Sequence, residues 1–364
     1  MRIYILFFLS LLINNTTSAQ NIFQKKESNS KNGYNIDVYL KNIDNTIDTL
    51  MLGVYSTGLK STLTYVKDTS IVKEEKITFK GNKLLEEGVY FIYEPKSKQL
   101  ILQFLITENQ HFNFSLDYTN PFNTVTFEDN SENSTYFNYN NYMSSAHNER
   151  LQLQKKLENI NDTKQRSKIE NEIKIISGRM KNYHFDFLEK NSNMFCAKFL
   201  KAQGQIEIPE NIGENLNKEE KDIAKWYYQQ KHYWDNIDFS EPRLLRTNFF
   251  YQKMEDYFEK ITFRNPDSII KAADFLINKS KVNNEFFQFT VMFITAKYER
   301  PKIMGLDAVF VHMIENYFLT NECCEDWTNE DQRNKMIQRA REISPNLIGK
   351  KAPEFIDING RPFM

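Results

Sequence analysis

Val89-Tyr90-Phe91-Ile92-Tyr93, then Glu94-Pro95-Lys96-Ser97, then Leu100-Ile101-Leu102-Gln103-Phe104-Leu105-Ile106: two runs of β-branched and aromatic residues flank a stretch of turn material. Runs of this length and composition read as strands, and the proline-bearing separator reads as a chain reversal. The pattern extends both ways. Strands are predicted at 34–40, 50–55, 63–66, 77–79, 112–116 and 125–127, with turns at Thr57-Gly58, Lys80-Gly81-Asn82 and Tyr118-Thr119-Asn120-Pro121. With no helical stretch between them, they predict an antiparallel sandwich or barrel over residues 20–128. His111, beside Phe112, is the one histidine of that region and is expected at a strand end on the surface.

Past the polar segment 128–134 the period changes. Ile169, Ile173, Ile176, Met180, Tyr183 and Phe187 recur every three or four residues, laying one apolar stripe along a helix whose other face carries Lys and Glu. Residues 147–160, with Leu151, Leu153 and Leu157, are expected to pack against it as a helical hairpin turning at Asn161-Asp162. Further helices are predicted at 218–234, 249–261, 268–279, 284–298, 305–319 and 329–343. Pro266-Asp267-Ser268 and Asn329-Glu330-Asp331 supply first-turn residues for two of them. The expected class is multidomain α+β, a β domain followed by an all-α domain at 129–346.

Ahead of the strands, Met1-Arg2, an apolar run over 3–13, and Asn14-Asn15-Thr16-Thr17-Ser18-Ala19 read as a secretory signal peptide, residues 1–19. The run is short for a bilayer, and Thr17 and Ala19 are small residues where a signal peptidase cuts. A buried core helix is the competing reading, disfavoured by the polar segment that follows at once. No later stretch reads as a transmembrane helix and no cysteine near Ala19 offers a lipid anchor, so the expected location is the periplasm or cell envelope. The remainder has the length of two domains at about 150 residues each.

Composition excludes several classes. Lys+Arg of 47 against Asp+Glu of 48 gives a net charge of -1, without the basic footprint that a phosphate backbone needs, so nucleic acid is not an expected partner. An aromatic content of 14% argues against disorder. The 11 glycines disfavour folds built on glycine-rich phosphate loops. Cys196, Cys323 and Cys324 are too few for a disulfide framework. Cys196, inside Met194-Phe195-Cys196-Ala197, reads as a small buried hydrophobe, and a bond between the adjacent Cys323 and Cys324 demands a strained ring.

The sequence contains no H-E-x-x-H, G-x-S-x-G, Walker loop, G-x-G-x-x-G, calcium loop or C-x-x-C. No catalytic, cofactor-binding or metal-ligating residue is therefore assigned. His312 and Glu315 are three apart, a spacing that two metal ligands on one helix face would have. With Leu306, Val309, Phe310, Met313, Ile314 and Tyr317 as the buried stripe, however, they fall on the polar side as an ordinary exposed pair. His232 and Asp235 repeat the pattern. The cluster Trp226, Tyr227, Tyr228, His232, Tyr233 and Trp234 is either a stacking platform for sugars or peptides or a packing face. Its seven-residue spacings, Trp226 to Tyr233 and Tyr227 to Trp234, favour packing.

Three further segments carry a resemblance: Tyr233-Trp234-Asp235-Asn236-Ile237-Asp238-Phe239-Ser240-Glu241-Pro242-Arg243-Leu244-Leu245-Arg246-Thr247; Met304-Gly305-Leu306-Asp307-Ala308-Val309-Phe310-Val311-His312; and Ile348-Gly349-Lys350-Lys351-Ala352-Pro353-Glu354-Phe355. They resemble a domain of unknown function in exported Bacteroidetes proteins that precedes a thioredoxin-like domain of the AhpC/TSA or TlpA/ResA type. The strand-rich half is similar to another domain of unknown function that opens such proteins. Residues 347–364 resemble the entry strand of the thioredoxin-like domain, turning at Asn359-Gly360, which is a hairpin signal in its own right.

The resemblance implies an accessory region of a periplasmic thiol-disulfide oxidoreductase, truncated before the family's reactive W-C-x-x-C, with no cofactor and no oxidoreductase activity of its own. Client or envelope proteins and a second copy of the chain are the partners that it suggests. The alternative is a non-enzymatic envelope binding or scaffold protein whose ligand sits on the aromatics of 226–234 or between the domains. An apolar tail at 355–364 is expected to encourage association unless covered.

Overall fold

A computed structural model describes residues 33–128, 130–319 and 329–351. The signal segment 1–19, Cys323 and Cys324, and the tail 352–364 with its Asn359-Gly360 turn lie outside the described residues. The strands are β1 (Tyr34–Lys41), β2 (Thr49–Thr57), β3 (Thr62–Ile71), β4 (Lys76–Gly81), β5 (Gly88–Glu94), β6 (Gln99–Ile106), β7 (His111–Asp117) and β8 (Thr126–Glu128). They form two four-stranded sheets, ordered β4-β1-β7-β8 and β3-β2-β5-β6. The result is a sandwich without barrel closure. One feature differs from the all-antiparallel expectation: β1 and β7 run parallel, in register from Asn35 opposite His111 to Lys41 opposite Asp117. Strands β2 to β6 intervene between them, and a crossover of that length frees the pair from the direction a tight hairpin imposes.

The two sheets bury different amounts of surface, and their sequences show it. In β1 and β7, buried and more exposed residues alternate strictly, with Ile36, Val38, Phe112, Phe114 and Leu116 facing inward. That is the pattern of a sheet wet on one side. In β5, Val89, Tyr90, Phe91 and Ile92 are buried in succession, because the second sheet has the first on one face and helices on the other. Val89, Phe91, Leu105 and Tyr55 join the helical core, while Tyr90, Ile92 and Phe104 join the sandwich core. Gly53 lies opposite Phe91, and a Cβ there would meet the Phe91 ring at 2.3 Å, so only glycine lets that ring lie on the neighbouring strand.

Exposed strand edges invite mispairing, and side chains close two of them. The fully buried Asn133 accepts from the Leu105 N–H and donates to the Leu105 carbonyl, both at 2.8 Å, imitating a further strand beside β6. On the other sheet, the β4 amides of Thr78 and Lys80 donate to Ser70 and Asp68 of β3.

The helices are α1 (Pro121–Thr124), α2 (Ser131–Glu158), α3 (Thr163–Lys190), α4 (Phe195–Gln203), α5 (Lys218–His232), α6 (Phe250–Asp256), α7 (Pro266–Ser280), α8 (Asn284–Tyr298), α9 (Asp307–Met313) and α10 (Glu330–Ile343). Caps explain many starts: Asp162, Asn217, Asn265, Asn283 and Asn329 each accept from backbone amides of the first turn. Helix α8 is buried nearly all round through Phe286, Phe289, Val291, Phe293 and Ile294, and forms the centre of the helical region. Its buried Thr290 and Thr295 hydroxyls donate to the carbonyls four residues back, so neither is orphaned. Helices α6 and α9 each run on into a π turn, Tyr257–Ile261 and Ile314–Phe318.

Helices α2 and α3 form the expected hairpin, but α2 starts well before residue 147. Asn133, Phe137, Tyr139 and Ala146 of α2, and Ile176 and Phe187 of α3, are buried. Between 147 and 175 no side chain is fully buried. The distal half of the hairpin is therefore a two-helix arm standing away from the body. No helix among the described residues is long and apolar enough to cross a membrane.

Candidate functional site at the seam between sheet and helices

The segment 238–247 crosses the boundary between the β sandwich and the helical body. Pro242 opens a 3-10 turn, Pro242–Arg246, a position where a missing N–H costs nothing. Leu244 and Leu245 enter the core from this strap and are almost wholly enclosed. The Thr57 hydroxyl of β2 donates to the Leu245 carbonyl at 2.7 Å. The Arg246 Nε donates to the Glu87 carbonyl just ahead of β5, and its guanidinium pairs with Glu285 at the start of α8. Gly88 allows this passage, since a Cβ there would lie 2.6 Å from the Arg246 Cβ.

Charges are concentrated in the strap and satisfied there. The Arg243 guanidinium donates through Nε and Nη2 to both oxygens of Glu241, at 2.5 and 2.6 Å, and through Nη1 to Glu87 at 2.9 Å. It also stacks over the Phe195 ring, 4.6 Å from its centre. Lys198 bridges Asp238 at 2.9 Å and Glu241 at 3.3 Å. Burial pushes the Glu241 carboxyl up, but the hydrogen bonds and charge of Arg243, with Lys198, outweigh it and hold the group below its ordinary value. Such a network is stabilising only while complete, because removing one partner leaves a buried charge without compensation.

The residues singled out in the sequence are distributed as follows. Trp234 is enclosed in the core against Tyr257, Phe239 and Phe250, as the packing reading expects. The other end of the same cluster faces outward: Tyr227 is exposed, and Trp226 packs at a tilt against the exposed Phe263, with ring centres 4.4 Å apart. The aromatic run is thus divided between core and surface. His111 is exposed, its Nε2 2.7 Å from the Gly33 carbonyl. The stripe Leu306, Val309, Phe310, Met313, Ile314 and Tyr317 is buried as expected.

His312 is not a free surface residue as the exposed-pair reading had it. Its Nε2 lies 2.8 Å from an Asp274 oxygen of α7, which the Tyr317 hydroxyl also donates to, while Glu315 points elsewhere and is exposed. With Asn316 Nδ2 at 3.2 Å from Nδ1, both ring nitrogens are engaged, and the imidazole has no position left for a metal or a substrate proton. The apolar stripe set the helix face correctly, but sequence spacing could not show that α7 would bring an acid to that face. His232 pairs with Asp235 at 2.6 Å. Among the described residues no group of three or more His, Cys, Asp or Glu side chains is arranged to hold a metal.

Cys196 is fully buried in the core, where burial, reinforced by the neighbouring Glu132 carboxylate, pushes its thiol well above the ordinary value. A thiol in that state is a poor nucleophile. The role of the strap is not evident from the sequence. The available signal was Glu241-Pro242-Arg243-Leu244-Leu245-Arg246, where charges alternate with large apolar residues around a turn-forming proline.

The model of one family, a domain of unknown function (DUF5106), matches residues 147–341, more than half of the chain. The chain belongs to the DUF5106 family. No curated protein and no solved structure matches it. The DUF5106 match opens inside α2, takes in the strap with Glu241, Arg243 and Arg246, and closes within α10. Thr57, Glu87 and Gly88, which receive the strap from the sandwich, lie outside it.

Proposed function

We propose that this DUF5106 chain is an accessory body of an exported thiol-disulfide oxidoreductase of the thioredoxin-like type. It would hold the redox domain and present client or envelope proteins to it without doing the thiol chemistry itself. The observation that carries the reading is the strap: a segment by which the chain resembles such proteins is the one that joins sandwich and helices through a shared core and a buried charge network. A rigid two-part platform suits a positioning role. The shielded thiol of Cys196 fits a body whose described residues have no reactive cysteine. Export to the periplasm or cell envelope, with cleavage after Ala19, belongs to the same proposal.

Dithiol-driven reduction of insulin by the 364-residue chain tests it. No turnover above the uncatalysed rate is expected, and turnover by this polypeptide overturns the reading. The nucleotide sequence beyond codon 364 is the second check: a W-C-x-x-C encoded there in any frame supports the proposal, and its absence overturns it.

A second reading, a non-enzymatic envelope binding protein, draws on α5. No residue of this helix is buried, and Ile223 and Tyr227 are exposed on it beside Phe263. Replacing Tyr227 and Phe263 by Ser would then abolish retention of the chain on isolated envelope material, and unchanged retention would remove this reading.

A further inference from the structure

We infer that the outward face of α3 is a self-association surface, pairing antiparallel with the same face of a second copy of this chain about Gly178. Gly178 sits in the interior of a 28-residue helix, where glycine weakens helical structure relative to alanine. Nothing inside the chain requires it: an added Cβ would meet no atom within 4 Å. The glycine instead leaves a flat place on an exposed surface, beside an open groove of 540 Å³ whose lining includes Tyr142, Ile175, Asn182 and Asp186. Ile175, one turn before it, is 62% exposed, and Phe185, two turns after it, is 47% exposed. A bare backbone between two exposed apolar side chains suits close approach by another helix.

The charges select the occupant. At 100° per residue, Lys164, Lys168 and Lys174 lie on the Gly178 side of the helix toward its N-terminal end, and Asp186 and Glu189 lie on that side toward its C-terminal end. All five are exposed, and none makes a salt bridge within the chain among the described residues. Their neighbours do pair internally: Arg166 with Glu170, Arg179 with Glu149, and Lys181 with Glu207. A face that is positive at one end and negative at the other is complementary to itself only when reversed. With Gly178 on the two-fold axis, Lys168 meets Glu189 of the second copy, Asn171 meets Phe185, and Lys174 lies near Asn182 and Asp186. A two-fold contact makes each of these pairs twice. A parallel arrangement would set Lys against Lys and acid against acid. The pairing would set the two arms side by side as a layer of four helices, with the two copies of α3 in the middle and covering each other's outward faces.

Sedimentation equilibrium of the full chain tests the inference. At low salt a dimer is expected, with a dissociation constant that rises with ionic strength. Gly178→Leu should weaken it at least about tenfold, since a bulky side chain on the axis forces the helices apart, without lowering the melting temperature. Lys168→Glu and Glu189→Lys should each weaken it by a similar factor, and the double variant should restore it. A chain that stays monomeric up to about 100 μM, a range that would still show weak self-association, overturns the inference. So does a dimer indifferent to Gly178→Leu, or a double charge reversal that fails to recover association.

Discussion

The strap and the hairpin arm are made of similar residue types and behave as opposites. Both are rich in charge, with Glu241, Arg243 and Arg246 in one and Glu149, Arg166 and Arg179 in the other. In the strap, Glu241, Arg243 and Arg246 are each held by more than one partner, and Arg243 also lies over the Phe195 ring. In the arm, the pairs Arg179–Glu149 and Arg166–Glu170 are open to water on both sides. Water screens the second kind of pair to near nothing, whereas the first kind, whose attraction is largely offset by desolvation while it is intact, is costly to break. The stability of this chain should therefore be concentrated where the sheet meets the helices and fall away along the arm.

The largest effect expected is that of Trp234→Ala. The indole is enclosed by Phe239, Phe250 and Tyr257, so its removal leaves a cavity with little means of collapse, and a loss of about 3–5 kcal/mol is expected. The denaturation midpoint in urea measures it. A loss below about 1 kcal/mol would mean that the seam is looser than its packing implies and that the contrast with the arm is false.

Arg243→Met comes next, at about 3 kcal/mol, because Glu241 keeps only Lys198 inside the core. This variant also has a signature in pH. Glu241 and Asp238 both have carboxyls held below their ordinary values against the opposing effect of burial. A depressed carboxyl contributes stability that is complete above its unfolded value and is lost as pH falls through its folded value. The parent chain should thus lose stability on acidification from about pH 5 downward, and Arg243→Met should flatten that limb by removing the main cause of the Glu241 depression. Stability curves of the two proteins between neutral and acid pH decide it, and parallel curves would show that Arg243 acts by packing alone.

Asn133→Ala should cost about 2 kcal/mol, since the N–H and C=O of Leu105 would both be left in the interior without a partner. The loss should appear in the sheet, as faster hydrogen exchange along β6. Exchange confined to α2 would instead show that the amide serves its own helix.

What could be read in the sequence follows the same division. All eight strands and the helix stripes were legible: burial on one face leaves a period of two residues in β1 and β7 and of three or four in α3 and α9, and burial on both faces leaves the continuous β-branched and aromatic run of β5. The first half of α2 was not, because Asn138, Asn140, Asn141, Ser144 and Ser145 are weak helix formers carried by the packing of Phe137, Tyr139 and Ala146. Helix α4 was lost for a different reason, being nine residues long with Met194, which offers no side-chain cap, at its N-cap. The seam was the least legible part. Arg243 is defined by Glu87, 156 residues away, and no local pattern announces a partner at that separation. The parallel pairing of β1 and β7 is long-range in the same way.

The smallest predicted effect separates arm from body most sharply. Ile173 is only half-buried on α3, within the stretch where no side chain is enclosed. Ile173→Ala trims the apolar stripe of α3 within the arm, and a loss of about 1 kcal/mol is expected, a factor of about five in the local opening equilibrium. Because the arm makes few contacts beyond itself, that loss should be confined to amides between 147 and 175, with those of β5 and α8 unchanged. Native-state hydrogen exchange resolves the two cases. If β5 and α8 amides lose protection by the same factor, arm and body open as one cooperative unit. Charge and packing at the seam would then govern the whole chain, rather than the part of it nearest the sheet.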